Sequence, residues 1–231
     1  MKFKGNLTKD ECYQKTLKYK DINKEKYLFY IILAQNLGHK EALSINFYYI
    51  IIEINNENIY KIINSNIDKD INGTFYNYLA LLYKEGLYVE KNEKEMIYHY
   101  EKTIKKGNNH AMHNLGCYYN EIKDYENMMK YYLMAIEKGN KYAMNNLGFY
   151  YYEIKEYENM MKYYLMAIAH GNTTSMYNLG LYYNDIKEYE NMMKYYLMAI
   201  AHGYTSAMNN LGFYYYEIKD YENMMKYYLM A

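Results

Sequence analysis

The sequence predicts an all-α fold, a solenoid built from stacked antiparallel helix pairs, and three observations lead there. A Leu-Gly dipeptide recurs every 32 residues, at Leu115-Gly116, Leu147-Gly148, Leu179-Gly180 and Leu211-Gly212. The twelve-residue string YENMMKYYLMAI appears unchanged at 125–136, 157–168 and 189–200. The chain has 231 residues and no proline, so no residue type that breaks a helix interior interrupts the pattern. A fixed period of this length is the mark of a repeat array, in which each unit buries its apolar face against its neighbours.

The elements follow in order along the chain. Thr8 to Lys20 reads as a helix, with Thr8 as N-cap and Glu11 three residues on. Glu25 to Ala42 reads as a second helix and its link, with Gly38 as cap. Ala42 to Ile54 and Glu57 to Ile67 form the next expected pair, before Asn72-Gly73 turns into the clear repeats. Residues 1–74 are thus a degenerate N-terminal part of one continuous solenoid. Residues 75–231 divide into copies at 75–110, 111–142, 143–174, 175–206 and an incomplete 207–231. The copy at 75–110 is longer, because Lys84 to Lys91 supplies an extended turn.

The copy at 143–174 shows the unit. Met144, Leu147, Tyr150, Tyr151 and Ile154 keep the three-to-four spacing of one helix face. Lys155-Glu156 makes a short turn, and Met160, Met161, Tyr164, Ala167 and Ile168 repeat that spacing. Gly171-Asn172 closes the second helix. Gly148 and Ala167, small residues on facing helices, are expected to let the two backbones approach, with Leu147, Tyr151 and Tyr164 filling the space around them.

These residues carry a resemblance. Asn146-Leu147-Gly148 followed by Tyr151, Tyr157, Tyr164 and Ala167 resembles a tetratricopeptide repeat. The ending Ala167-Ile168-Ala169-His170-Gly171-Asn172 resembles the related Sel1-like repeat, as does the extended turn of the 75–110 copy. The resemblance implies a right-handed superhelical arrangement, and a non-enzymatic scaffold whose first helices line a concave groove for a protein or peptide. Met128, Met160, Met192 and Met224 depart from the family, which places a small residue there.

Composition excludes several functions. Lysines number 27 with no arginine, balanced by 27 acidic residues, so the formal charge is zero and an electrostatically driven nucleic-acid binder is not expected. No apolar run, Phe47 to Ile52 included, approaches the ~20 residues that cross a membrane. The N-terminus has no apolar stretch of the secretory kind, and Cys12 and Cys117 make no disulfide framework; a cytoplasmic setting is expected. His110, His113, Cys117 and Glu121 share a helix face, but no other copy repeats them, and neither metal nor cofactor is expected. His170 and His202 fall in last turns of helices, where a cation suits the dipole. Single glycines give no phosphate loop. Glu121, Glu153, Glu156 and Glu217 are read as solvated turns.

The candidate binding residues come from comparing copies. The second helix hardly changes; the first does. His113, Asn145, Tyr177 and Asn209 share one variable position. Cys117, Phe149, Leu181 and Phe213 share another; Asn120, Tyr152, Asn184 and Tyr216 share a third. Drift since duplication and selection for a ligand both account for this. Asn114, Asn146, Asn178 and Asn210 are invariant before each Leu-Gly. An amide carries a donor and an acceptor and can pair with an extended backbone, and the resemblance implies such an asparagine ladder; an amide that merely bonds between helices is the other reading. The lysines that a carboxylate clamp requires are missing from these positions. Two further readings stand beside the scaffold: a self-associating array, through the uncapped C-terminal end, or the interaction part of a larger, truncated protein.

Overall fold

The structure is a computed structural model and describes residues 7–43 and 58–231. Among the described residues all regular structure is helical. The chain divides into two compact units, Met1–Tyr118 and Tyr119–Ala231.

The first unit opens with α1 (Lys9–Tyr19) and α2 (Lys24–Asn36), which pack as a pair. The capping box at Thr8 forms as expected: Glu11 N–H donates to the Thr8 hydroxyl at 3.2 Å, and Thr8 N–H donates to the Glu11 carboxylate at 2.7 Å. Gly38 takes the left-handed conformation after α2, at φ 76°. A short α3 (Lys40–Leu43) begins the next element; the rest of the helix expected to Ile54 lies outside the described residues. α4 (Ile59–Asn64) and a 3-10 turn, Ile67–Lys69, replace the single helix expected over 57–67. Then α5 (Thr74–Glu85) pairs with α6 (Glu93–Lys105). The long turn between them uses left-handed residues at Gly86 and Tyr88.

This unit has an aliphatic core, with Leu28, Ile31, Ile32, Ile59, Ile62, Ile63 and Leu79 essentially inaccessible. A polar knot ties its halves. Asp70 accepts from Gly73 N–H at 2.9 Å and Tyr76 N–H at 3.0 Å. Asn36 donates to the Lys69 carbonyl and accepts from Ile71 N–H, and Asn72 donates to the Gln35 carbonyl. Burial raises the Asp70 carboxyl; the two backbone donors and Lys106 work against that rise.

α7 (His110–Glu121) spans the division between units. The second unit continues with α8 (Tyr125–Glu137), α9 (Lys141–Glu153), α10 (Tyr157–Ala169), α11 (Thr173–Asp185), α12 (Tyr189–Ala201), α13 (Thr205–Glu217) and α14 (Tyr221–Met230). α9 packs on α10, α11 on α12 and α13 on α14, as consecutive antiparallel pairs, and each second helix also meets the next first helix. Both helices of a pair end in the same hydrogen-bonded cap. After α10, Gly171 N–H donates to Ile168 O and Asn172 N–H to Ala167 O, with Gly171 at φ 71°. After α9, Lys155 N–H donates to Tyr152 O and Glu156 N–H to Tyr151 O, with Lys155 at φ 60°. Lys123, Lys187 and Lys219 repeat that left-handed lysine.

Tyrosine and methionine fill this core. Within each pair one tyrosine of the first helix lies parallel on one of the second: Tyr151 on Tyr163 and Tyr183 on Tyr195, centroids 5.5 Å apart. Between pairs, Tyr157 meets Tyr182 at 5.3 Å and Tyr189 meets Tyr214 at 5.1 Å. Met160 and Met192 are fully buried, so the family's small residue is replaced here by a flexible filler. The glycine of each Leu-Gly has a more specific use than backbone approach. A Cβ on Gly148 would lie 2.6 Å from the ring of Tyr164, and one on Gly180 2.4 Å from the ring of Tyr196. At Gly148 and Gly180 glycine stands because a buried tyrosine ring occupies the space that a Cβ would need.

Candidate functional site

The first helices α9 and α11 begin with turns capped by asparagine, whereas α13, which follows Tyr204, has no side-chain cap. Asn140 accepts from Tyr142 and Ala143 N–H, and Asn172 from Ser175 N–H while its amide donates to the Lys141 carbonyl. The buried side of each helix carries the Leu-Gly pair, so the positions around it emerge at the edge of the core.

Two clefts lie along this edge. One, of about 130 Å³, is lined by Phe149, Tyr152, Tyr164, Asn178, Leu181 and Asp185. The other, of about 300 Å³, takes in Asn184, Tyr196, Asn210, Phe213 and Glu217, with Tyr189, Tyr214 and Ile218. The second is the first moved by one repeat: Tyr164 becomes Tyr196, Asn178 becomes Asn210, Leu181 becomes Phe213 and Asp185 becomes Glu217. Periodic sequence has produced periodic recesses, each lined by aromatic rings and one carboxylate, with one amide in the smaller (Asn178) and two in the larger (Asn184 and Asn210).

The candidate residues therefore separate. Phe149, Tyr152, Asn178 and Leu181 meet in one cleft, and Asn210 and Phe213 in the other. Tyr216 stands outside both, half exposed, its ring 6.4 Å from that of Phe213. Asn209 is exposed. Asn145 and Tyr177 line neither cleft and connect repeats instead. The Asn145 carbonyl oxygen accepts from Ser175 Oγ at 2.9 Å and from the Asn178 amide at 3.3 Å. Tyr177 takes the equivalent place one repeat later, its hydroxyl accepting from the Asn210 amide at 3.2 Å. In the first unit, His113 and Asn114 are half-buried and hydrogen-bonded to each other, and the His113 ring lies 3.5 Å from Cys117 Sγ. Burial holds that imidazole below its usual value.

The ladder asparagines are tied to the fold through tyrosine. Asn146 donates to the Tyr132 hydroxyl at 3.3 Å and Asn210 to the Tyr196 hydroxyl at 3.2 Å, while Tyr164 pairs with Asn178. Burial raises the Tyr196 phenol to about 12 and raises that of Tyr164 as well; the asparagine partner moderates both. The Asn210 amide thus gives both its hydrogens to tyrosines. At the mouth of the smaller cleft the Tyr152 hydroxyl donates to Asp185 at 2.9 Å, which raises that phenol.

Sequence reasoning missed Tyr164, Tyr196, Asp185 and Glu217. The tyrosines belong to the invariant second helix, and a comparison that seeks variation passes over them. The acids had a signal: Glu121, Glu153, Asp185 and Glu217 each end a first helix at the same 32-residue step. Among the described residues no group of three His, Cys, Asp or Glu is placed to hold a metal ion, and no helix is long and apolar enough to cross a membrane.

The fold agrees with known repeat proteins. The family model for the tetratricopeptide repeat matches residues 110–137 and 173–201. A Sel1 repeat protein from Oxalobacter formigenes is similar over 95% of this chain and 98% of its own, with a TM-score of 0.66 at 19% identity. A protective antigen of uropathogenic Escherichia coli strains, which displays an SLR fold, is similar over 88% of this chain and 48% of its own, with a TM-score of 0.58 at 19% identity. A Pseudomonas aeruginosa protein is similar over 99% and 83%, with a TM-score of 0.55 at 18% identity. No curated protein matches the chain in sequence. Residues 110–137 and 173–201 match the tetratricopeptide repeat, and over most of its length the chain has the fold of the Sel1 repeat protein. Repeat proteins of this kind generally mediate protein interactions and are generally not enzymes.

Proposed function

We propose that the chain is a non-enzymatic scaffold that binds an extended peptide, or an extended segment of a partner protein, along the edge formed by α9, α11 and α13. The observation that carries this reading is the pair of equivalent clefts one repeat apart. Recesses at a constant step suit a ligand whose side chains also recur. Phe149 and Phe213 are 47% and 56% exposed, large apolar groups presented to solvent at the clefts' rims. Covering a ring of that size contributes roughly 1.5–3 kcal/mol, and each added hydrogen bond about 0.5–1.5 kcal/mol. Two rings and two or three bonds together approach the ~8 kcal/mol of micromolar binding.

The test begins with linear twelve-residue peptides selected from a random display library on the purified chain. They are then titrated into the wild type and into Phe149→Ala/Phe213→Ala. Because both rings are half exposed, the double variant should keep its melting temperature while binding weakens by about tenfold or more. Unchanged affinity for every selected peptide would sink the reading.

A second reading rests on α14. Its Tyr228 is 41% exposed where the equivalent Tyr164 and Tyr196 are 1% exposed, and Leu229 is 80% exposed. Apolar surface of this kind is covered by a further helix pair, from the same polypeptide or from a second copy, and self-association is the second case. Light scattering across a concentration series distinguishes the two, since a monodisperse monomer removes the second.

A further inference from the structure

The chemistry of the two clefts narrows the ligand, and this step rests on the scaffold reading above. We propose that the clefts seat the basic side chains, lysine or arginine, of the bound extended segment, with Glu217 the main anchor and Asp185 the second.

Three observations converge on a cation. First, each cleft places one carboxylate beside aromatic rings, and neither lining includes a lysine or a histidine. Ring faces carry negative potential, so Phe213, Tyr189, Tyr214 and Glu217 all favour the same sign of charge. Second, among the described residues Glu217 has no hydrogen-bond or ion-pair partner, whereas Asp185 already accepts the Tyr152 hydroxyl. The larger cleft is therefore the one whose carboxylate is not engaged by a protein group. Third, the rings of this protein accept ammonium groups elsewhere. Lys162, Lys194 and Lys226 lie 5.1–5.2 Å from the centroids of Tyr163, Tyr195 and Tyr227. Those pairs are on other tyrosines, which leaves the cleft rings for a ligand. The amide of Asn210 is spent on Tyr177 and Tyr196, so its remaining polar atom toward a ligand is the carbonyl oxygen, an acceptor suited to a cationic donor.

Fluorescence anisotropy with four labelled peptides tests this. They share an Ala-Ser background and carry, at every fourth position of twelve, Lys, Gln, Glu or Leu. The Lys peptide should bind tightest and the Glu peptide weakest. Glu217→Gln/Asp185→Asn should weaken the Lys peptide by about tenfold and leave the Leu peptide unchanged. The control Glu158→Gln/Glu190→Gln removes two exposed carboxylates of α10 and α12 that lie outside the clefts, and should change little. Leu binding as tightly as Lys, with no effect of the cleft variant, overturns the cation assignment and leaves the scaffold reading intact. Equal weakening by the control variant also overturns it, since attraction is then diffuse. Failure of all four peptides to bind overturns both.

Discussion

Gly180 and Gly212 occupy the same position one repeat apart, yet the structure gives them different neighbours. The missing Cβ of Gly180 would lie 2.4 Å from Tyr196, a ring 1% exposed and held among Met192, Ala199 and Leu211. That of Gly212 would lie 2.9 Å from Tyr228, a ring 41% exposed and able to swing away. Alanine is better than glycine inside a helix by about 1 kcal/mol, while forcing an extra carbon into a packed core costs about 1–3 kcal/mol. Gly180→Ala should therefore lower stability by up to about 2 kcal/mol, and Gly212→Ala should be neutral or slightly stabilising. Denaturant titration of the two variants checks this, and equal effects would remove the ring-on-glycine account. The sequence shows that these glycines are invariant. It also places the tyrosine sixteen residues on near the glycine, but does not show that its ring takes the space of the missing Cβ, because that contact is made across the pair.

The second helices offer a comparison between near-identical elements. Asp124 caps α8, accepting Asn127 N–H at 3.1 Å and the Asn127 amide at 2.8 Å, and Asp220 caps α14 in the same way. Glu156 and Glu188, at the same place before α10 and α12, make no cap bond to the backbone and reach only the side chains of Asn159 and Asn191. One extra methylene carries the carboxylate past the backbone donor. Glu156→Asp/Glu188→Asp should supply both caps and raise the melting temperature by roughly 1–4 °C, measured by far-UV circular dichroism. A fall or no change would show that the side-chain bond already serves. Helix positions were readable throughout the clear repeats, because the apolar spacing and the Gly links state them directly. The turns at Lys123, Lys155, Lys187 and Lys219 were readable as turns but not as left-handed caps, since lysine has no preference for that conformation and only the surrounding helices impose it. The clefts were half legible for a related reason. Variation marks Phe149, Leu181 and Phe213, but Tyr164 and Tyr196, which line the same clefts, are constant, and the variable Asn145 and Tyr177 each bond to the asparagine of the next repeat.

At the scale of the whole molecule, the two units bury different chemistry. Aliphatic side chains dominate the first; phenols and methionines dominate the second. With 38 tyrosines and no tryptophan, ionisation of phenol is both a stress on this fold and a direct reporter of it. Burial raises the phenols of Tyr78, Tyr164 and Tyr196, the last to about 12, and also those of Tyr151, Tyr183 and Tyr215. A tyrosine in an unfolded chain titrates near 10. The native state therefore holds protons that the unfolded state releases, and the stability this represents is complete below about pH 10 and is lost as pH rises toward the native values. Alkaline titration followed together by phenolate absorbance at 295 nm and by far-UV circular dichroism should show two phases. In the first, absorbance rises while helix content holds. In the second, above about pH 11, the remaining phenols ionise as the helices melt, because Tyr164 and Tyr196 cannot become charged while laid against Gly148 and Gly180. Complete ionisation with helix content unchanged would show that these rings are open to solvent, and would remove with them the packing that gives each cleft its floor.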